Sequence, residues 1–269
     1  MFYIVATPIG NSKDISFRAV EILKKVDFIL CEDTRITGKL IAELNITSHL
    51  LKLNDHNEDS MIKKVVSLLE EGKDIALVSD AGMPLINDPG FALVRDIIKS
   101  KHLVTSIPGP SSILTALQLS GISTNEFCFL GYFPRKANKQ IEFIKKIKQI
   151  GMTAIFFESP KRIINTLNVL KENINENNEI AIARELTKKH ESLYRGTLNQ
   201  IDNLITIPKN EIKGEFTITI KIIEKPEEID LGLQKDLLSI LNKGDAAKVL
   251  SKLYKLPKRE IYKKFPKQN

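Results

Sequence analysis

Short apolar runs alternate with amphipathic stretches along most of the chain. The run Ile75–Val78 is apolar at every position, as expected of a strand buried on both faces of a sheet. The stretch 12–26 instead repeats apolar residues at helical spacing. One face of that predicted helix carries Ile15, Ala19, Ile22, Leu23 and Val26. Strands and helices in alternation predict an α/β protein with a parallel, doubly wound sheet.

The alternation runs without interruption from residue 2 to residue 121. It predicts strands at 2–8, 27–35, 49–55 and 74–82. It predicts helices at 12–26, 37–46, 58–72 and 89–100. Residues 103–121 then give a strand, a tight turn and a helix. We therefore expect an N-terminal α/β domain over residues 1–120.

A second α/β set follows a break in the pattern at 121–138, where we expect a domain junction. Its predicted elements are helices at 139–150 and 161–173, strands at 153–160 and 179–187, a strand-and-helix unit at 189–205, and a closing strand at 213–223. A polar linker at 224–232 ends the set. We expect these residues to form a second α/β domain over residues 121–226.

Residues 231–269, called the basic unit below, differ in both pattern and charge. They predict three short amphipathic helices at 233–244, 245–255 and 256–265, with breaks at Gly244 and the Leu256-Pro257 step. Ten Lys or Arg and three Asp or Glu lie in this unit, so it carries the whole net charge of +7 and the rest of the chain is neutral. This distribution indicates either a polyanionic partner or a solvated, lysine-rich tail.

Composition excludes several classes of protein. Of the 269 residues, 42% are hydrophobic and 27% are charged, as in an ordinary globular protein. No apolar run approaches the roughly 20 residues that span a bilayer, and no signal peptide is recognisable, so we expect a cytoplasmic protein that does not enter a membrane. Cys31 and Cys128 lie in apolar stretches and the four histidines are scattered, which predicts neither a metal site nor a disulfide framework.

Three predicted strands end in loops rich in Pro and Gly: ATPIGN, SDAGMP and PGPSS. Because the carboxyl ends of parallel strands meet at one edge of a sheet, these loops should lie together. Gly lets a backbone approach a ligand closely, and Pro fixes its shape. Ser111 or Ser112 opens the helix after the third loop and would either cap it or bind an anionic group. The motifs GxxxxGK[ST], GxGxxG and GxSxG are absent from the sequence, which favours a small ligand held without phosphates.

The chain resembles the tetrapyrrole (corrin/porphyrin) methylase superfamily. The resemblance covers residues 1 to about 225 through seven motifs in order: ATPIGN with DISFRA, CEDTR, SDAGMPLINDPG, PGPSS, FFESPKR, ARELTKKHE and KGEF. It is most similar to the ribosomal-RNA branch, which methylates the 2′-oxygen of a cytidine in the decoding centre of 16S rRNA, cytidine 1402 in the usual rRNA numbering. The resemblance implies two α/β domains with S-adenosylmethionine in the cleft between them, a homodimer, and the small ribosomal subunit as partner.

The same resemblance implies which residues bind the cofactor. Those on the methionine and ribose side are Pro8, Ser79, Asp80, Ala81, Gly82, Met83, Ser111 and Ser112. Those of the second-domain wall beside the adenine are Phe157, Leu186 and Gly214. Met83 stands where the family most often has Thr. Either Asp80 or Asp88 would face the ammonium or sulfonium charge, unless Asp80 only accepts hydrogen bonds within its own loop.

Acidic residues at strand ends are candidates for a general base, and each has an Arg close by in sequence. They are Glu32 and Asp33 with Arg35, Glu158 with Arg162, and Glu185 with Arg184; His190 is a further candidate. These are either structural ion pairs, or Arg35 and Arg184 bind phosphate while a carboxylate such as Glu32 or Glu185 takes the proton.

The basic unit supplies the candidates for RNA binding. They are Lys248, Lys252, Lys255, Lys258, Arg259, Lys263 and Lys264. Tyr254 and Tyr262 lie among them and either stack on bases or form a small core. Two alternative functions stay open: a small-molecule tetrapyrrole or corrin methylase, and a non-catalytic RNA-binding module. The basic unit argues against the first, because a soluble macrocycle does not require it.

Overall fold

The structure is a computed structural model that describes residues 1–54, 57–201, 212–222, 231–254 and 257–265. The chain divides into two compact units, Met1–Lys221 and Ile222–Asn269. Among its described residues, the first unit contains two five-stranded sheets.

The first sheet is entirely parallel, with strand order β3-β2-β4-β1-β5. Its strands are β1 (Phe2–Val5), β2 (Phe28–Cys31), β3 (His49–Lys52), β4 (Ile75–Val78) and β5 (Val104–Ile107). The helices that follow them are α1 (Phe17–Lys25), α2 (Thr34–Glu43), α3 (Glu58–Glu70), α4 (Phe91–Lys99) and α5 (Ser112–Ser120). The predicted parallel sheet is therefore confirmed.

Helices cover both faces of this first sheet. Ala19 and Leu23 of α1 share a hydrophobic cluster with Val5 and Val78, together with Ile41 of α2. On the opposite face α3 and α4 cover alternate residues of the same strands, in a second cluster. Helix α5 is different, because it packs against two strands of the second sheet, Glu179–Arg184 and Phe216–Lys221. It thereby ties the two halves of the unit together.

The second sheet is mixed, with strand order β6-β7-β10-β8-β9. Its strands are β6 (Phe127–Tyr132), β7 (Thr153–Glu158), β8 (Glu179–Arg184), β9 (Ser192–Thr197) and β10 (Phe216–Lys221). Helices α6 (Ala137–Ile150) and α7 (Ile163–Asn173) complete the described elements of this half. The last strand in sequence lies centrally and runs antiparallel to both neighbours, so its first residue pairs with the last residues of β7 and β8. The start of β10 thus lies beside the ends of β7 and β8, at one edge of the sheet.

Strand β6 lies in the stretch 121–138, where the sequence indicates only a break. Gly131 has a φ of +71°, and the register with β7 shifts between Phe129 and Tyr132. A bulge of this kind interrupts the regular pattern of side chains, which explains why periodicity does not reveal the strand.

The second unit contains three helices among its described residues: α8 (Leu231–Ile240), α9 (Lys243–Leu253) and α10 (Lys258–Lys264). The predicted break at Gly244 is wrong, because Gly244 lies in the first turn of α9. Asn242 caps that helix by accepting a hydrogen bond from the Asp245 backbone N–H at 3.0 Å, and Asn is among the best capping residues. A small apolar core holds the unit together, with Ala246, Ala247, Leu250, Ile261 and Phe265 buried in it.

Candidate functional site

The loops after β1 and β4 are joined by an isolated antiparallel bridge. The Thr7 N–H donates to the Gly82 carbonyl at 2.9 Å, and the Gly82 N–H donates back to Thr7 at 3.1 Å. The hydroxyls reinforce this bridge, since Thr7 Oγ1 donates to the Ser79 carbonyl at 3.0 Å and Ser79 Oγ donates to the Gly82 carbonyl at 3.1 Å. Both Thr7 and Ser79 are buried. The rim of the first sheet is therefore held rigidly before any ligand binds.

Gly82 is required at its position for two reasons. Its φ is +84°, a conformation that residues with a side chain adopt at a cost of roughly 1–2 kcal/mol. A Cβ added there would lie 3.1 Å from Ile9 Cγ2 and 3.6 Å from the Pro110 carbonyl oxygen. The backbone of Gly82 therefore packs closely against the loops that carry Ile9 and Pro110, and a side chain at this position would have to displace them.

The third loop of this rim ends at Ser111, the N-cap of α5. Its hydroxyl accepts from the Leu114 N–H at 3.4 Å, which confirms the capping role predicted for Ser111 or Ser112. Gly109 precedes it in close contact with the first strand, because an added Cβ would lie 2.9 Å from Ala6 Cβ. The three Pro- and Gly-rich loops therefore meet, as predicted, at the carboxyl edge of the first sheet.

The second sheet supplies the opposite wall. Phe157, near the end of β7, packs edge-to-face against Phe129 and Tyr132 of β6, with ring centroids 4.9 and 5.4 Å apart. Leu186 follows β8 and is buried in a cluster with Ile9, which belongs to the loop after β1. Apolar and aromatic side chains from one sheet thus face the Gly-rich rim of the other.

Between these walls lies a cavity of about 370 Å³, called the donor cavity below. Most of the residues predicted to bind a cofactor line it: Asp80, Ala81, Gly82, Met83, Ser111, Ser112, Phe157, Leu186 and Gly214. Pro8 and Ser79 line an adjoining cleft instead. The volume falls within the range of small-molecule sites, roughly 300–1,000 Å³.

Several lining residues are not found by sequence reasoning. These are Ile9, Ile86, Asn87, Tyr132 and Glu215. The first three lie next to predicted positions in the motifs ATPIGN and LINDPG, so the sequence indicates the segments that contain them but not the residues themselves. Tyr132 is the last residue of the bulged strand β6, which the sequence pattern does not reveal, and no sequence signal marks it.

The two halves meet tightly where the loop after β1 crosses the loop after β8. A Cβ on Gly10 would lie 2.7 Å from Thr187 Oγ1 and 2.8 Å from the Leu186 carbonyl oxygen. The next backbone N–H, of Asn11, donates to Thr187 Oγ1 at 3.1 Å. The partner loop is itself strained, with φ values of +52° at Glu185 and +64° at Thr187. This crossing joins the loop that carries Ile9 to the loop that carries Leu186, and both of these residues line the donor cavity.

We expect Gly10→Ala to weaken ligand binding in the donor cavity by about tenfold and to lower the free energy of unfolding by about 1–3 kcal/mol, because the added methyl group overpacks the crossing. Binding calorimetry and thermal unfolding measure the two effects. Gly38→Ala is a matched control, since a Cβ at Gly38 meets nothing closer than Leu50 Cδ1 at 3.9 Å. Equal behaviour of the two variants would contradict the role given to the crossing.

Two carboxyl groups of the β4–α4 loop face the donor cavity. Burial raises the pKa of Asp80, although a hydrogen bond from the Asp33 backbone N–H at 3.2 Å opposes this effect. Burial, with the charges of Glu32 and Asp80, raises the pKa of Asp88 to about 6. The hydrogen bond to Asp80 comes from another loop, so Asp80 does more than brace its own turn. The cavity thus combines acidic groups with apolar walls, which suits a cationic ligand that has an aromatic part.

Glu158 serves as a structural anchor. Its side chain is fully buried, and Arg162 Nη2 lies 2.6 Å from Oε1, which also accepts from the Ser159 N–H. Thr166 Oγ1 donates to its other oxygen. Arg162 continues the network by donating to the Phe133 carbonyl at 3.1 Å. Both oxygens are engaged, which accords with the structural ion pair considered for Glu158.

Glu185 and Arg184 lie beside the donor cavity without lining it. Glu185 Oε1 accepts from Lys188 Nζ at 2.9 Å and from the Glu215 N–H at 3.0 Å, and the pKa of Glu185 is lowered by these hydrogen bonds against the effect of burial. Arg184 Nε donates to the Lys213 carbonyl at 2.9 Å. These contacts brace the loop that carries Gly214.

Glu32 and Arg35 lie in a second space that opens beside Asp80. This polar cleft is lined by Glu32, Asp33, Thr34, Arg35, Lys52, Asn54 and Asp80. Within it, Asp33 and Arg35 form a two-pronged ion pair, with Arg35 Nη2 2.6 Å from Asp33 Oδ2, and this holds the pKa of Asp33 well below its ordinary value. Asp80 is common to the polar cleft and the donor cavity, so a group bound in one approaches a group bound in the other.

The predicted RNA-binding residues lie on two helices of the second unit. Lys248 and Lys252 belong to α9, and Lys258, Arg259, Lys263 and Lys264 belong to α10. Lys255 lies outside the described residues. Tyr254 packs against the small core, whereas Tyr262 is 41% exposed and contacts the Phe265 ring.

Every helix in the described part of the chain is too short or too polar to cross a bilayer. The same residues contain no cluster of His, Cys, Asp or Glu suited to hold a metal ion. Cys31 is buried and Cys128 is partly buried, and both are free thiols.

Comparison with solved structures supports the fold. A cobalt precorrin-4 methyltransferase, a cobalamin biosynthetic enzyme, superposes with a TM-score of 0.61 at 18% identity and covers 82% of this chain and 94% of its own. A uroporphyrin-III-C-methyltransferase from Thermus thermophilus gives a TM-score of 0.56 at 14% identity. The superposition covers 82% of this chain and 93% of that structure.

Comparison with protein families and curated sequences identifies the relatives. Residues 1–202 match the family described as tetrapyrrole (corrin/porphyrin) methylases. A protein of Rickettsia prowazekii (strain Madrid E) named ribosomal RNA small subunit methyltransferase I is 39% identical over 263 residues, which is 97% of this chain and 92% of the relative. A protein of the same name from Synechocystis sp. (strain ATCC 27184 / PCC 6803 / Kazusa) is 38% identical over 269 residues, which is 97% of this chain and 96% of the relative. The resemblance inferred from the motifs is confirmed: the chain belongs to the tetrapyrrole (corrin/porphyrin) methylases.

Proposed function

We propose that this protein transfers a methyl group from S-adenosylmethionine to the ribose 2′-oxygen of a cytidine in 16S rRNA, cytidine 1402 in the usual numbering. Methylation of ribosomal RNA is the function in the names of relatives that match nearly the whole chain. The observation that carries the proposal is the donor cavity, in which a rigid Gly-rich rim and two acidic side chains face an aromatic wall. The position on the ribose rests on the motif resemblance.

The residues of the donor cavity fit S-adenosylmethionine, the methyl donor of the family. The rim presents backbone at Gly82, where a Cβ would contact Ile9. Asp80 and Asp88 are placed to balance the positive charges of the ligand. Phe157, Leu186 and the backbone at Gly214 form a wall suited to a flat adenine ring. When bound, the donor supplies a methyl group on a cationic sulfur.

The chain contributes to the reaction mainly by positioning. Methyl transfer is an in-line displacement that removes charge from sulfur, so no oxyanion hole is required. The hydrogen-bonded bridge at Thr7 and Gly82 keeps the rim fixed, and such preorganisation avoids reorganising the site during the reaction. Apolar walls exclude water from the reacting atoms. A carboxylate near the acceptor then adds a rate factor of about 10²–10⁴ by taking the proton of the hydroxyl.

The acceptor nucleotide is proposed to enter through the polar cleft. Arg35 is 86% exposed and Lys52 is also exposed, so both reach solvent at the mouth of this cleft. Arg35 is held by Asp33 with its guanidinium oriented, and guanidinium groups bind phosphate as bidentate donors. Phosphate contacts of this kind fix the register of an RNA without specifying its sequence. The cleft therefore suits an exposed nucleotide whose ribose is directed toward Asp80.

The basic unit is proposed to supply sequence-independent attraction to rRNA. Its charge of +7 stands against a neutral remainder of the chain. Attraction between lysines and phosphates dominates affinity in such interfaces and depends steeply on salt. The small ribosomal subunit is then the partner, and the homodimer typical of the family is proposed as the assembly. Arg184 and Glu185 are proposed to support the site by bracing the loop at Gly214.

Methyl transfer to purified small ribosomal subunits from cells that lack the gene tests this function. We expect one methyl group per 16S rRNA, recovered by mass spectrometry of nuclease digests as 2′-O-methylcytidine. A tetrapyrrole precursor offered under the same conditions should accept none. Incorporation into the tetrapyrrole alone would indicate a small-molecule methylase, and donor binding with no incorporation into RNA would indicate a non-catalytic RNA-binding module.

A further inference from the structure

Among the described residues, four carboxyl groups line the donor cavity: Asp80, Asp88, Glu158 and Glu215. Glu158 is fully buried and is held on both oxygens, by Arg162 and Thr166, which fits an anchor better than a base that exchanges protons with solvent. Glu215 is 75% exposed and pairs with Lys188 at 3.3 Å, which directs it to solvent. The two aspartates of the β4–α4 loop are left to be compared.

Asp80 and Asp88 differ in what holds them. Asp80 accepts a hydrogen bond from the Asp33 backbone N–H at 3.2 Å, which stabilises its charged form. Asp88 interacts electrostatically with Glu32, Asp80 and Tyr132, and with the Ser79 hydroxyl. It is half-buried in the donor cavity, and Glu32 belongs to the polar cleft. Asp88 therefore lines the donor cavity within electrostatic reach of Glu32, which lines the polar cleft.

The turn that carries Asp88 is fixed in shape. Asn87 has a φ of +72° and Gly90 has a φ of +113°, both in the left-handed region. A Cβ on Gly90 would lie 3.1 Å from Leu85 Cδ2 and 3.2 Å from Leu77 Cδ2, so the turn rests on the core. A Cβ added to Gly131, in strand β6 of the second sheet, would lie 3.3 Å from Asn87 Oδ1. The turn that carries Asp88 thus rests on the core of the first sheet and, through Asn87, lies beside the second sheet.

We propose that Asp88 is the general base of the methyl transfer and removes the proton of the acceptor hydroxyl. This inference rests on the proposed function. The O–H bond of the ribose breaks and its proton passes to the Asp88 carboxylate. The oxygen lone pair forms the new bond to the methyl carbon, and the carbon–sulfur bond breaks with its electron pair on sulfur. The proton is then released to solvent, which regenerates the carboxylate.

The surroundings of Asp88 match this task. A base is most effective when its pKa lies near the working pH, and burial raises the pKa of Asp88 to about 6. The acidic groups that face it, Glu32 and Asp80, disfavour its charged form, as does burial. Asp33, by contrast, is a poor base, because its ion pair with Arg35 lowers its pKa. Two neighbouring carboxyl groups with different proton affinities commonly mark an acid–base site.

The test is single-turnover methyl transfer to small ribosomal subunits at saturating donor. We expect the wild-type rate to rise with pH through a midpoint near 6, because only the deprotonated Asp88 accepts the proton. Asp88→Asn should lower the rate by about 10²–10⁴-fold and abolish this limb of the profile. Donor affinity, measured by calorimetry at pH 7.5, should fall by about tenfold at most, since only one charge is removed.

Asp96→Asn removes the same charge from α4, outside both clefts, and should keep the wild-type rate and profile. An active Asp88→Asn variant with the wild-type profile would overturn the inference and leave the proposed function intact. A wild-type profile without a limb near pH 6 would overturn it even if Asp88→Asn failed to fold. Absence of any transfer by the wild-type protein would instead refute the proposed function, and the inference with it.

Discussion

Gly82→Val is expected to weaken S-adenosylmethionine binding at least about 100-fold, equivalent to about 2.7 kcal/mol. The branched side chain would start 3.1 Å from Ile9 Cγ2 and fill the floor of the donor cavity. It would also strain the bridge to Thr7, because valine strongly disfavours a φ of +84°. Binding calorimetry measures the first effect, and methyl transfer should be lost with it.

Gly72→Val is the matched control for backbone strain. Gly72 has a φ of +82°, close to that of Gly82, but a Cβ there would meet nothing within 4 Å. Both variants should lose similar thermal stability, so a difference between them in donor affinity reports the cavity alone. Unchanged donor binding by Gly82→Val, or equal loss by Gly72→Val, would contradict the placement of the site.

Removing positive charge from α10 is expected to reduce the salt dependence of RNA binding. The variant replaces four exposed residues with Ala: Lys258, Arg259, Lys263 and Lys264. With about 0.7 of a unit of slope per phosphate contact of a single strand, four lost contacts reduce the slope of log affinity against log salt by about 3. The fall in affinity between about 50 and 200 mM salt should then be smaller by a factor on the order of 50.

The control variant replaces four exposed lysines of α3 and α6 with Ala: Lys63, Lys64, Lys145 and Lys146. It changes the net charge equally, so only the location of the charges differs. Filter binding over a series of salt concentrations measures both slopes, and calorimetry should show that neither variant loses donor affinity. Equal slopes for the two variants would contradict the role proposed for the basic unit.

Sequence pattern is sufficient to predict most of the first sheet because each element there carries its own signal. Strand β4 is apolar throughout and α4 has a strongly one-sided apolar face, so neither depends on distant residues to be recognised. Strand β6 lacks such a signal, since its bulge at Gly131 disrupts the alternation. At Gly244 the sequence predicts a break that does not occur. The capping of α9 by Asn242 outweighs the low helix propensity of glycine, so the helix includes Gly244.

The donor cavity shows the same division between local and distant information. Pro and Gly in ATPIGN, SDAGMP and PGPSS indicate the rim, because these residue types determine the shape of a loop locally, without help from distant residues. The crossing of Gly10 over Thr187 joins residues 177 positions apart, and only the folded chain reveals that no side chain fits there. The surroundings of Asp88 are likewise assembled from separate strands, so its altered proton affinity is invisible in the turn sequence LINDPG.

A crystal structure of the protein with S-adenosylmethionine or its demethylated product tests the central claim most directly. We expect the ligand in the donor cavity, with its amino acid part against the backbone around Gly82, its adenine against Phe157 and Leu186, and its sulfur directed toward Asp80 and the polar cleft. Density for the ligand at another place on the protein, with the donor cavity empty at saturating concentration, would contradict the account.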